Sequence, residues 1–457
     1  MRKLLNSIAP AALVAVLGMA PTSSGYAQET PPAEPAPPAP TPENITKSNA
    51  AGVDYLVRAY GISKQDAEER LAVQDELSEK TQEIAAQFGD RFGGIYIEQQ
   101  APFRVVVLVK GEDGATIPQS LRLPSRLQRY ISTQGSQRSQ AETTAIVERL
   151  ATIFRGAGNR TIVSFDPKAQ KFVVTAPDSR IVQAITRLIP PDLLKDVTTR
   201  TGLLPKDSQA GYVSGDYTYG GWTLYGPTEA PNCTSGYVVR MSDSRFGVTT
   251  AAHCSSVNPK LYVNGHYVTL ASAAITQNSA RYDFKVHPTG NLDVSGYVAY
   301  TNNQQIRGTS ITNSVAGYSS GGYFGVQDGL YRVAHNIGSV MCKQGQRSGL
   351  SCGQIIETNA SYTTNDGVAR AGMVSLGRSS QRVIGFSGDS GGPVFTPPAA
   401  DGTVKPAGLV SSATQVNETT PCDTAARSDC LLYYMPIERL KDQQPMQIKT
   451  MTGTLNP

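Results

Sequence analysis

The serine in Gly388-Asp389-Ser390-Gly391-Gly392-Pro393 is the side chain best placed for chemistry in this chain. Glycine-rich turns of this kind let backbone N–H groups converge on one point, where a developing oxyanion can be held. A serine hydroxyl is a poor nucleophile at neutral pH, so it needs an imidazole to take its proton and a carboxylate to fix the tautomer of that imidazole. Both types are present: His253 in Thr250-Ala251-Ala252-His253-Cys254, and Asp283 in Arg281-Tyr282-Asp283-Phe284. Ser390 is therefore the expected nucleophile, His253 the general base and then acid, and Asp283 the orienting group. Gly388 and Ser390 are the expected oxyanion donors. His266, His287 and His335, the other histidines, lack a matching context and read as ordinary barrel or loop residues. Asp283 with His287 would make a poor metal pair, because Pro288 follows directly and no third ligand is apparent. No metal and no cofactor are expected.

Positioning three residues so far apart in sequence requires a sizeable fold, and 457 residues suffice for two or three folded units with tails. The formal net charge of +4 with 17% charged residues is no footprint of a nucleic-acid partner. Arg2 and Lys3, the apolar stretch from Ile8 to Met19, and small residues about Gly25-Tyr26-Ala27 follow the pattern of a secretory signal peptide, assigned to 1–27. An exported product, extracellular or periplasmic in transit, is expected, with no membrane span. The Pro- and Ala-rich stretch assigned to 28–50 reads as a linker.

Residues 51–210 are charge-rich and free of cysteine, and their pattern predicts an α+β unit. Ser63 precedes Asp66 at capping-box spacing, and Ala67, Leu71, Leu77, Ile84 and Phe88 recur near helical spacing, which predicts a helix from about 63 to 89. Strands are expected at Ile95–Ile97 and Phe103–Val109, a helix through Ile146–Phe154, a hairpin from Ile162–Phe165 and Phe172–Thr175, and a third helix carrying Val182, Ile185 and Leu188. After Pro205 the texture turns to short β-favouring runs, with an Asn264-Gly265 hairpin turn the strongest local signal. This predicts an all-β barrel or sandwich over 211–442, a closing helix near Met435 to Asp442, and a polar tail from 443 to 457. Cys233, Cys254, Cys342, Cys352, Cys422 and Cys430 all fall in this part, and an even number in an exported chain points to disulfides whose pairing the spacing leaves open.

These motifs resemble the chymotrypsin-like serine peptidases, and more closely the bacterial secreted α-lytic protease and streptogrisin group. The likeness rests on Thr250–Cys254, on Cys342-Lys343-Gln344-Gly345 through Cys352-Gly353, and on Gly388–Pro393. It implies an all-β double six-stranded antiparallel barrel, with the site in the cleft between barrels, acting as a monomer on polypeptide substrates. It implies that Ser411 hydrogen-bonds the triad carboxylate, that Ser412 and Ala413 pair with the substrate backbone, and that Lys343 is the cation partnering Asp389. It also implies the pairings Cys233–Cys254, Cys342–Cys352 and Cys422–Cys430. Tyr55–Gly61 and Phe88–Ile95 resemble the pro-region of α-lytic protease, which implies that 51–210 is an intramolecular folding catalyst and inhibitor, a zymogen segment removed by a cut between Lys206 and Asp216. No acidic residue stands where a trypsin-type pocket would hold one, so an apolar rather than Lys/Arg primary specificity is expected.

Overall fold

The computed structural model describes residues 48–451 apart from 112–115, 119–120, 207–217, 229–230, 255–257, 264–265, 302–303, 306–311, 314–320, 328–332, 366, 380–382, 418–419, 425 and 444. The signal peptide, nearly all of the linker, the Asn264-Gly265 turn and almost all of the expected cleavage interval lie outside the described residues.

The N-terminal part is α+β, as its patterning requires. Ser63 caps the helix Lys64–Phe88 by accepting the Asp66 N–H at 3.0 Å. Val73, Leu77, Ile84 and Phe88 on that helix pack over Ile95, Ile97, Val105 and Val107 of the antiparallel strands Phe92–Glu98 and Arg104–Lys110. A second helix, Gln140–Gly156, begins with a reciprocal Ser139–Glu142 capping box, and its Val147, Leu150 and Phe154 cover the hairpin Ile162–Asp166 and Lys171–Ala176. The third helix is shorter than expected, Ser179–Thr186, and leaves Leu188 outside it and exposed. Elements with too little local pattern to be read from sequence include the helix Ala50–Tyr60, the strand Ile131–Ser136, which joins Arg104–Lys110 in parallel, and the strand Val197–Thr201.

From Thr218 onward the regular elements among the described residues are strands, apart from one short helix. Two sheets gather residues 223–288, one of them holding Phe246–Thr250 between Val238–Arg240 and Asp283–Pro288. The largest sheet has ten strands, most of them from residues 340–436. The antiparallel expectation holds for most pairings, but the short contacts of Thr218–Gly220 with Val294–Thr301 and of Gly321–Val326 with Thr403–Val404 are parallel. The closing helix spans Glu438–Gln443, because Met435 belongs to the strand Leu432–Pro436. The tail is not simply polar: Gln447–Ile448 pairs with Val238–Arg240, and Met446 and Ile448 are buried in the main core.

A physical boundary between the two parts is absent from this sheet. Ile162 and Val163 of the N-terminal hairpin pair with Tyr362 and Ser361 of the long strand Gly349–Thr363, so the sheet runs on across the junction. Around it, the Gln74 amide mimics a strand edge against Val340, donating to its carbonyl at 2.9 Å and accepting its N–H at 2.6 Å. Tyr55, Leu56 and Ala67 share one apolar core with residues of the β half.

Candidate active site

Three sheet-borne segments meet at the expected chemistry. His253 follows the strand Phe246–Thr250, and its neighbour Cys254 is bridged to Cys233. Asp283 opens the strand Asp283–Pro288, whose Lys285 pairs with Thr250, so strand register brings the carboxylate under the imidazole. Ser390 lies in the turn before Pro393–Phe395. The Ser390 carbonyl accepts the Thr234 N–H at 2.9 Å, and Gly391 and Gly392 exchange backbone bonds with Val410 at 2.7 and 2.8 Å. Gly388 at φ 99° and Gly391 at φ 85° take the left-handed steps that this turn needs, and a Cβ on Gly391 would sit 2.2 Å from Thr250 Oγ1.

The result is a continuous chain of polar contacts. Ser390 Oγ lies 2.9 Å from His253 Nε2, and His253 Nδ1 lies 3.0 Å from Asp283 Oδ2 and 3.1 Å from Oδ1. A carboxylate can only accept from Nδ1–H, so the tautomer with a free lone pair on Nε2 faces the serine. Such an arrangement can draw the hydroxyl proton onto the imidazole as Oγ attacks an acyl carbon. Asp283 is fully buried and also accepts from the Ala252 N–H at 3.0 Å, the His253 N–H at 3.3 Å and Ser411 Oγ at 2.5 Å. Burial alone would raise its carboxyl; the neighbouring imidazole, then the Arg370 guanidinium and the Ser411 hydroxyl, outweigh that and hold it well below the usual carboxylate range.

Beside Ser390 a second charge is buried. Lys343 Nζ sits 3.1 Å from Asp389 Oδ2, both side chains being inaccessible to solvent. Burial lowers the Lys343 ammonium from its ordinary value while Asp389 opposes the shift. Asp389 in turn accepts the N–H groups of Arg347, Ser348 and Phe386 at 2.9, 3.1 and 3.0 Å, and the Ser348 hydroxyl contacts both partners of the pair. The carboxylate thereby pins residues 347–348 and the approach to the Ser390 turn together.

All three disulfides pair as the resemblance implied: Cys233–Cys254, Cys342–Cys352 and Cys422–Cys430. Among the described residues, the cluster of metal-ligating types formed by Cys422, Asp429 and Cys430 has both sulfurs consumed in that last bridge. Ser412 and Ala413 lie in the strand Pro406–Thr414, where Ala413 pairs with Lys206 and Thr414 with Pro205, and Ser412 Oγ is 2.7 Å from the Tyr362 hydroxyl. The N-terminal part thus already lays a strand on this edge.

One residue of the site escaped sequence reasoning: Arg370, whose Nη2 lies 3.1 Å from Asp283 Oδ1. Arginine in Ala369-Arg370-Ala371 carries no local signal of burial, because only the packing of two sheets takes it out of water. His287, expected to be an ordinary barrel or loop residue, lies in the strand Asp283–Pro288, wholly buried with Nδ1 2.9 Å from the Ala271 carbonyl, and burial lowers it to about 4. His335 bonds the Tyr434 hydroxyl at 2.9 Å, away from the serine.

No protein-family model matches the chain, and no curated protein matches it. Solved structures do. A Nocardiopsis protease is similar at 19% identity, covering 51% of this chain and 98% of its own, with a TM-score of 0.36. Thermobifida fusca protease A gives 24%, 51%, 98% and 0.33 for the same quantities, and Cellulomonas bogoriensis chymotrypsin 20%, 51%, 98% and 0.31. The likeness to these bacterial proteases therefore extends over about half the chain.

Proposed function

We propose that this chain is a secreted serine endopeptidase made as a pre-pro-enzyme, which hydrolyses peptide bonds through an acyl-enzyme on Ser390. The observation that carries the reading is the unbroken contact line from Asp283 through His253 to Ser390 Oγ. In the first step Oγ attacks the scissile carbonyl as its proton passes to Nε2, and the N–H groups of Gly388 and Ser390 receive the oxyanion. Each such donor contributes on the order of 10²-fold in rate. The imidazolium then protonates the leaving amine, and His253 next activates the water that frees the acyl group. Asp283 keeps the imidazole in the working tautomer and stabilises its charged form.

A peptide rather than a simple ester is the favoured substrate because the edge at Ala413 and Thr414 already accepts an extended backbone, that of Pro205–Lys206. The same pairing supports the reading of 51–210 as a pro-region that chaperones and then blocks the site, with the cut beyond Lys206. Three disulfides support export to an oxidising compartment. An apolar primary specificity is proposed because no acidic residue stands in the stretch Gln381–Ser387 ahead of the nucleophile turn.

The test is incubation of the secreted protein with a fluorophosphonate probe and with casein, beside Ser390→Ala. The wild type is expected to label at Ser390 and to cleave casein, whereas the variant does neither and stays at full length. Labelling without peptide cleavage would point to an esterase. Absence of both in folded protein would point to a silent relative that only binds peptides, and a variant that matures normally would assign processing to another protease.

A further inference from the structure

Arg370 is a fully buried cation that the acyl-transfer steps leave without a part. It is inaccessible to solvent and heads the strand Ala369–Gly377 in the ten-stranded sheet, whereas Asp283 belongs to a different sheet. Its guanidinium crosses between the two. Nη2 lies 3.1 Å from Asp283 Oδ1, while Nη1 donates to Asn278 Oδ1 at 2.9 Å and to the carbonyls of Ser279 and Tyr282, both at 3.1 Å. These acceptors are the turn that leads into Asp283. The same turn is gripped by the Ala371 N–H, which donates to the Ala280 carbonyl at 2.6 Å, and by Arg439 Nη1, which donates to the Arg281 carbonyl at 2.6 Å.

Taking a guanidinium wholly out of water is costly unless its charge is matched; here Nη1 makes the hydrogen bonds to the turn and Nη2 supplies the ion-pair contact. The match here is the carboxylate that orients His253. Resting on the peptidase reading above, we infer that Arg370 is a positioning residue for the triad: it fixes Asp283 from the opposite sheet and sets the proton affinity of His253 through that carboxylate. Its charge opposes protonation of the imidazole, and the opposition is transmitted at short range in a dry setting. Loss of Arg370 would also loosen Asp283, which acts in the other direction. Three donors besides the imidazole remain on the carboxylate, from Ala252, His253 and Ser411, so the charge effect dominates.

Other groups face this pair and must be held constant. Lys285 lies on the Asp283 strand with its ammonium bound to the Cys254 carbonyl and is coupled to Asp283; Ser390 and Ser411 are neutral hydroxyls; Arg439 faces the turn backbone rather than the carboxylate.

The experiment follows the rate of fluorophosphonate labelling against pH in the protein as secreted, together with the low-field Nδ1 proton of His253 titrated by NMR in a Ser390→Ala background. Arg370→Gln is expected to move the acid limb and the imidazole midpoint upward by about one unit. Arg370→Lys, which keeps the charge, leaves the midpoint near its wild-type position. Asn278→Asp, at an exposed site, retains Arg370 but sets a carboxylate against its Nη1, and moves the midpoint upward by a smaller amount. If Arg370→Gln does not fold, Asn278→Asp decides alone. An unmoved midpoint in every folded variant that alters the charge overturns the inference. Folded wild type that never labels at Ser390 defeats the peptidase reading instead, while the NMR midpoints still report on the Arg370 field.

Discussion

The two halves of this molecule are held by different physics. The part from 48 to 206 has no cysteine, caps its helices with Ser63, Ser139 and Asp178, and carries mostly half-exposed ion pairs such as Arg126 and Arg129 with Glu69. The β half carries all three disulfides and sinks complete charges into its interior, Lys343 against Asp389 and Arg370 against Asp283. Buried pairs contribute little net stability when intact but are severe to break, whereas exposed pairs contribute little either way. The difference is what the proposed pre-pro-enzyme reading predicts, in which the first part docks and is later released while the second holds the proposed site by itself.

Breaking the comparison begins with Lys343→Met, which strands the Asp389 carboxylate in a dry site. Chemical denaturation is expected to show a loss of about 3–5 kcal/mol. Pairing that substitution with Asp389→Asn should recover a good part of it, because neither charge is then left alone. A loss no larger than that of an exposed pair would erase the distinction.

Next in size is an acid effect confined to the β half. His287 is held to about 4 in the folded protein, below the ordinary imidazole value of about 6.5, so the unfolded chain takes up a proton that the folded one refuses. Its contribution is therefore intact above about pH 6.5 and is lost as pH falls from there toward 4, by up to about 3 kcal/mol. His287→Gln should flatten that part of the curve of unfolding free energy against pH. A slope unchanged between wild type and variant would remove His287 from the account.

The smallest effect belongs to the other half. Glu69→Gln, which cuts the contacts to Arg126 and Arg129, should shift stability by less than about 1 kcal/mol, and less still in high salt. A loss comparable with that of Lys343→Met would mean that the two halves are not built differently.

Much of this was legible in the sequence, for reasons that differ by residue. The helix Lys64–Phe88 announces itself through Ser63 and a repeating apolar face, both local signals. His253 and Ser390 stand in short runs whose residue types are demanded by their chemistry, and the cysteines paired as their family likeness implied. The helix Ala50–Tyr60 was not legible, because Gly52 weakens its propensity and its stability comes from packing; a Cβ on Gly52 would lie 2.6 Å from Pro397 Cβ. The sheet that continues from Tyr362 into Ile162 was hidden for the same reason: register between distant strands leaves no trace in either strand alone. Arg370 was hidden because a surface arginine and a buried one have the same neighbours in sequence.

The central claim is that Asp283, His253 and Ser390 act as one unit, and Asp283→Asn tests it most directly. The amide still fits the site but favours the wrong imidazole tautomer, so peptide hydrolysis by folded protein, measured near neutral pH, is expected to fall about 10⁴-fold. A folded Asp283→Asn protein that cleaves peptides within a few fold of wild type would contradict the account.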